Sequence, residues 1–127
     1  GTVVLSGKTY TIVSIGANAL KGAGKLTSVS IGNNVVSVGK NAFAGCKKLK
    51  SVVIGKKVKS IGAGAFTGCK KLGSVKFQGT AVKKIGKKAF AGTAKKITVK
   101  VPKKLKKNKN FKKKLVKAGM SKKVKVR

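Results

Sequence analysis

Apolar positions recur along the chain in two linked patterns. Short alternations of the form V-x-I stand at Val29/Ile31, Val52/Ile54, Val75/Phe77 and Val99/Val101. Alternation with a period of two marks a strand with one buried face. A second apolar pair accompanies them at Ile12/Ile15, Val35/Val38, Val58/Ile61 and Val82/Ile85. Both patterns belong to one repeat. The segments IGANALKGAGKLTSVSIG from Ile15, VGKNAFAGCKKLKSVVIG from Val38, IGAGAFTGCKKLGSVKFQG from Ile61 and IGKKAFAGTAKKITVKVP from Ile85 superimpose with steps of 23, 23 and 24 residues. The extra residue falls near Gly79-Thr80.

In-phase columns follow from that alignment: Gly16, Gly39, Gly62 and Gly86; Ala19, Ala42, Ala65 and Ala89; Leu20, Phe43, Phe66 and Phe90; Gly22, Gly45, Gly68 and Gly92. A unit this short cannot bury its own apolar face, so neighbours must stack and share a continuous core. The expected fold is a repeat solenoid, a leucine-rich-repeat-like right-handed coil of short β-strands with tight turns. Glycines at fixed phase admit corners where a side chain would clash, and Phe43, Phe66 and Phe90 are expected to stack down the middle.

A stack of coils exposes an apolar edge at each end, and the flanking segments are expected to cover these. Residues 1–14 read as an N-terminal capping β-hairpin carrying Val3, Val4, Leu5, Tyr10 and Ile12, turning at Ser6-Gly7-Lys8. Four repeats occupy 15–102, and 103–127 reads as a lysine-rich C-terminal cap. Pro102 suits a helix start and Gly119 its end. Between them Leu105, Phe111, Leu115, Val116 and Ala118 share a face at helical spacing. One helix is expected over about 103–118, then a short strand at about 122–126 containing Val124 and Val126.

The pattern IGxxAFxGCxxLxxVxIGxxVxSIG resembles the BspA-type leucine-rich repeat of bacterial surface proteins, over about residues 10–102. The resemblance implies a secreted or surface-displayed solenoid, linked to adhesion and without enzymatic activity. Its motif defines the fold and assigns no binding residue. The chain opens at Gly1 with no signal peptide, so a processed product or an excised piece of a longer protein is expected.

Composition narrows the chemistry. The 127 residues include 33 Lys or Arg and no Asp, Glu or His, for a formal charge of +33. General acid–base catalysis draws mainly on the absent residues, and hard-cation sites need carboxylate oxygens. No enzyme activity, cofactor, metal or small-molecule substrate is therefore expected. Arg127 is the lone arginine. Lysine ammonium groups act as point charges without the planar fork that reads bases, so binding by charge density with poor discrimination among polyanions is expected.

The lysines fall into columns. Lys25, Lys48, Lys71 and Lys95 form one; Lys47 and Lys70 run parallel; Lys59 and Lys83 form a third. At the inter-strand spacing of about 4.8 Å each column becomes a row of positive charge. The expected partners are anionic polymers or acidic surfaces, such as teichoic acid, sulfated glycan or extracellular DNA, with a host or partner protein as a further candidate. The charge is graded, with four lysines in 1–40 against twelve lysines and Arg127 in 103–127. The plainer account is a solvated face that keeps a repeat protein soluble.

Two other functions compete with an extracellular adhesion module. One is a nucleic-acid-binding matrix or packaging protein. The other is a membrane-active cation working through the C-terminal helix, whose lysines and apolar face could lie on an anionic bilayer; covering the core is the simpler role for that face. Cys46 and Cys69 sit one repeat apart in identical G-C-K-K-L contexts. Equivalent positions lie within disulfide range, while Ala23 and Thr93 in the same column indicate a site that wants a small residue, leaving buried free thiols as the alternative. The hydroxyl columns Ser28, Ser51, Ser74, Thr98 and Ser14, Ser37, Ser60 are expected to bond backbone at corners.

Overall fold

The computed structural model describes residues 2–5, 8–11, 16–33, 35–121 and 123–127. The strands are β1 (Thr2–Leu5), β2 (Lys8–Thr11), β3 (Ser28–Ile31), β4 (Ser37–Val38), β5 (Ser51–Ile54), β6 (Ser60–Ile61), β7 (Ser74–Phe77), β8 (Lys84–Ile85), β9 (Thr98–Lys100) and β10 (Lys125–Val126). Helices α1 (Lys103–Lys106) and α2 (Lys109–Lys117) lie between β9 and β10. A long sheet has the order β10-β9-β7-β5-β3-β1-β2, and a short sheet the order β4-β6-β8. Each successive coil therefore adds one strand to each sheet, parallel to the strand before it.

Register follows the apolar columns. Val29, Val52, Val75 and Val99 are partners in sequence across the long sheet, and Val38, Ile61 and Ile85 across the short one. A slip of one residue would turn every buried side chain to solvent. The observed register keeps Val29, Val52, Val75 and Val99 at 2% exposure or less. One cluster joins these valines to the Leu26, Leu49, Leu72 and Ile97 column, to Ala42, Ala65 and Ala89, and to the phenylalanines. Phe43, Phe66 and Phe90 form a ladder, with ring centroids 5.1 and 5.4 Å apart and planes within 2° and 7° of parallel. Leu20, in the same column of the first coil, is partly buried.

The turn between the sheets relies on glycine for two separate reasons. At Gly62 the limit is space, since a Cβ there would lie 2.5 Å from the Lys40 nitrogen and 2.6 Å from the Gly39 carbonyl carbon. Both are backbone atoms of the preceding coil. Gly68 instead adopts φ +74° with no atom of another coil closer than 3.7 Å to its Cβ position, so backbone conformation is what excludes other residues. A further left-handed column is less visible in sequence: Asn18, Asn41, Gly64 and Lys88 have φ of 60°, 56°, 66° and 60°. Asparagine and glycine tolerate that region, whereas a lysine there is strained.

At the start, β1 pairs antiparallel with both β2 and β3, in the registers Val3↔Tyr10 and Val3↔Ile31. The expected turn at Ser6-Gly7 and the pair Ile12/Ile15 lie outside the described residues. At the other end, the single helix expected over 103–118 is two helices. Asn108 breaks it: its backbone is extended (φ −79°, ψ 105°) and its side chain accepts the Asn110 N–H at 2.9 Å, which makes it the N-cap of α2. Leu105, Phe111, Leu115, Ala118, Met120 and Val124 join the main apolar cluster. Phe111 meets Phe77 edge-on at 5.4 Å. The short closing strand is β10, parallel to β9 with Val126 beside Val99.

Candidate polyanion interface

The eight column lysines are all exposed, and the stack divides them between two corners. Lys25, Lys48, Lys71 and Lys95, with Lys47 and Lys70, lie on the corner that leads into the long-sheet strands. Lys48, for example, sits between buried Cys46 and Leu49, three residues before β5 begins at Ser51. Lys59 and Lys83 lie beyond the strand, on the corner leading into β6 and β8. Backbone bonds tie that second corner into register: the Lys83 N–H donates to the Lys59 carbonyl at 2.9 Å, and the Lys59 N–H to the Val36 carbonyl at 2.8 Å. Val36, 45% exposed, takes this position in the earlier coil, so the second ridge starts late. A four-residue strand spans about 13 Å, so the lysines form two ridges and not one surface.

A third cationic group was not legible as a column. Lys76 and Lys100 are partners on the outer face of the long sheet, and Val53 and Ser30 precede them across the same row. Arg127 extends the row, its N–H donating to the Val99 carbonyl at 2.8 Å and its carbonyl accepting from Val101 at 2.8 Å. In the neighbouring row Lys125 stands beside Thr98. The alternation Val75-Lys76-Phe77 and Val99-Lys100-Val101 carried the signal for two of these residues. Nothing in the repeat announced that β10 would dock on β9.

The hydroxyl columns sit elsewhere than expected. Ser28, Ser51, Ser74 and Thr98 open the strands of the long sheet, and Ser37 and Ser60 open those of the short one. Period-two geometry turns the first set outward, opposite the buried valines. Ser14 lies outside the described residues.

Cys46 and Cys69 are buried free thiols. Each S–H reaches back to the preceding coil, from Cys46 to the Leu20 carbonyl at 3.3 Å and from Cys69 to the Phe43 carbonyl at 3.2 Å. The neighbouring Cys46 thiol and the loss of hydration push the Cys69 thiol well above the usual range, so it persists as a neutral donor. Thr93 fills the column in the last coil and donates to the Phe90 carbonyl at 3.0 Å.

Without Asp, Glu or His, lysine charge has no side-chain partner anywhere in the chain. One consequence is measurable. Acid unfolding comes mostly from protonating carboxylates and buried histidines, and this chain has no carboxylate side chain and no histidine. The thermal midpoint followed by circular dichroism should stay level from about pH 6 down to about pH 4, below the range where the Cys46 thiol, lowered to about 7 by its Cys69 neighbour, titrates. Added salt should raise it by screening self-repulsion. A steep acid loss would contradict this.

The repeat geometry and the family comparison agree. The model of the BspA type leucine rich repeat region matches residues 8–115, in six copies. The chain belongs to this family. Its match starts before and ends after the four segments read from periodicity. A solved leucine-rich repeat protein from Bacteroides ovatus is similar at 33% identity, with a TM-score of 0.61, over 81% of this chain. The chain spans 28% of the length of that protein. No curated protein sequence matches it. Leucine-rich repeat families are typically non-enzymatic binding scaffolds, and no catalytic family is indicated. BspA-type proteins are often surface-displayed or secreted. Among the described residues no helix is long and apolar enough to cross a membrane.

Proposed function

We propose that this chain is a non-enzymatic extracellular adhesion module that holds linear anionic polymers along its lysine ridges. The observation that carries the reading is the register. Backbone pairing stacks chemically equivalent exposed lysines at strand spacing, in a chain with no acid to neutralise them. Rows of like charge repel, and a polymer of regularly spaced phosphates or sulfates relieves that repulsion while releasing its own condensed counterions. Wall polymers and sulfated glycans fit a lysine-only surface better than sequence-read nucleic acid does, because the planar arginine fork is nearly absent.

The flanking segments act as caps in this reading. The β1–β2 hairpin pairs on the first described coil, and α1, α2 and β10 close the last. Support for the helical cap comes from Phe111 and Leu115, 3% and 0% exposed within the shared core. Engaging that face removes the apolar surface a membrane-lying helix would need.

Retention of the folded chain on immobilised heparin or teichoic acid, eluted by salt, tests the function. Elution only above about 0.5 M salt is expected, given the steep salt dependence of counterion release. Elution near physiological salt would remove the proposal. Stronger retention on DNA than on a sulfated glycan of matched charge would replace it with nucleic-acid binding.

A further inference from the structure

The end of the second ridge runs into a cleft of about 440 Å³ between β8 and α2, lined by Lys83, Lys84, Lys87, Lys114 and Lys117 around Ile85. Five lysines border one concavity. One of them is anchored, since Lys114 Nζ donates to the Lys83 carbonyl at 3.3 Å, which leaves its remaining protons for another acceptor.

The backbone adds a donor. In each coil, N–H groups of the turn donate to carbonyls of the next coil: Asn41 to Ala63, Phe43 to Ala65, Gly64 to Lys87 and Phe66 to Ala89. The last coil has no successor, and α2 replaces it only in part. Phe90 N–H finds the Ala118 carbonyl at 2.9 Å, whereas Lys88 N–H, the counterpart of Gly64 N–H, bonds no acceptor among the described residues. That N–H belongs to the residue that follows Lys87 of the cleft lining.

The C-terminal end of a helix ordinarily disfavours an anion. Here the carbonyls of Lys114, Leu115 and Val116 accept from Ala118, Met120 and Gly119, and that of the cap residue Ala118 accepts from Phe90. The partly buried Ile85 and buried Ala118 give the cleft an apolar wall. Charge-assisted hydrogen bonds strengthen where water is partly excluded. Several independent point-charge donors suit a tetrahedral oxyanion, whose oxygens face several directions. A planar carboxylate is matched instead by the arginine fork.

We infer that this cleft binds one tetrahedral oxyanion, the terminal phosphate or sulfate ester of an anionic polymer whose run lies along the Lys59–Lys83 ridge. The end-group assignment rests on the polyanion reading; the oxyanion site itself does not. It would give a charge-density binder a preference for chain ends.

The test is a titration of the folded, 15N-labelled chain with inorganic phosphate and with sulfate, at ionic strength held constant with sodium chloride. Saturable amide shifts at Lys88 and its neighbours are expected. The double variant Lys114→Met/Lys117→Met keeps the aliphatic stems and should weaken binding at least about tenfold, for the loss of two charge-assisted hydrogen bonds. If that variant lowers the unfolding midpoint, Lys87→Gln, exposed and outside α2, supplies the comparison and should also weaken binding. The variant Lys21→Gln/Lys104→Gln, off the ridges and outside the cleft lining, should bind phosphate as the parent does. Tighter phosphate than sulfate assigns a phosphoester end, and the reverse a sulfate ester; either ranking supports the site. Shifts that stay linear and spread over all lysines, or binding equal in parent and cleft variants, would overturn it. Saturable phosphate binding with failed polymer retention would support the cleft while removing the ridge function. Polymer retention without saturable phosphate binding would do the opposite.

Discussion

Replacing Gly62 with alanine should destabilise the protein by about 3 kcal/mol or more, the upper range for overpacking. The added Cβ meets the Lys40 nitrogen at 2.5 Å and the Gly39 carbonyl carbon at 2.6 Å. Relief requires moving one coil away from the other, because neither atom belongs to a side chain that can rotate aside. That movement would stretch the Gly62 N–H bond to the Val38 carbonyl, now 2.7 Å, and the β4–β6 pairing beside it. Gly16→Ala is the internal control, at the same repeat position. A Cβ there meets nothing among the described residues, so its effect should stay within about 0.5 kcal/mol. Urea unfolding of the two variants reads the contrast. Equal midpoints would mean that the coils are not stacked as closely as described.

Phe66→Ala should cost about 3–5 kcal/mol, as large aromatic truncations in cores do. Phe66 is fully buried and stacks on Phe43 on one side and Phe90 on the other. Its loss interrupts the ladder at the centre, where nearest-neighbour coupling holds the array together. Unfolding followed by two probes, one in the first coils and one near α2, should then lose the coincidence expected of a single cooperative transition. Leucine occupies this column at Leu20, so Phe66→Leu should cost far less, about 1–1.5 kcal/mol. A milder alanine than leucine effect would show that the aromatic column does not carry the stack.

Much of this architecture is legible in sequence because each coil repeats the same physical problem. The columns at Val52, Leu49 and Phe43 announce a shared core, and their steps of 23, 23 and 24 residues reappear as strand pairs. What the repeat does not encode is less legible. The left-handed column Asn18, Asn41, Gly64 and Lys88 uses three residue types, so identity conceals a common backbone conformation. Asn108 sits inside a helical apolar pattern, and its capping bond decides the break between α1 and α2. The ladder hydroxyls occupy strand starts because the buried valine next to each one sets the phase, whatever the hydroxyl could bond at a corner. Division of the lysines into two ridges depends on where a strand interrupts the coil. The cleft depends on α2 returning to β8, a contact between Lys114 and Lys83 across 31 residues with no counterpart in the repeat.

In the proposed function, charge placement, more than charge amount, is what the stacked register contributes to binding. The slope of log affinity against log salt measures how many cations engage a polyanion at once. For a single-stranded oligonucleotide, used as a row of evenly spaced phosphates, each engaged lysine contributes about 0.7 to that slope. Substituting Lys48→Gln/Lys71→Gln should lower the slope by about 1.4, while Lys21→Gln/Lys104→Gln, equal in charge but off the ridges, should leave it unchanged. Identical slopes for the two double variants would contradict the ridges as the binding surface.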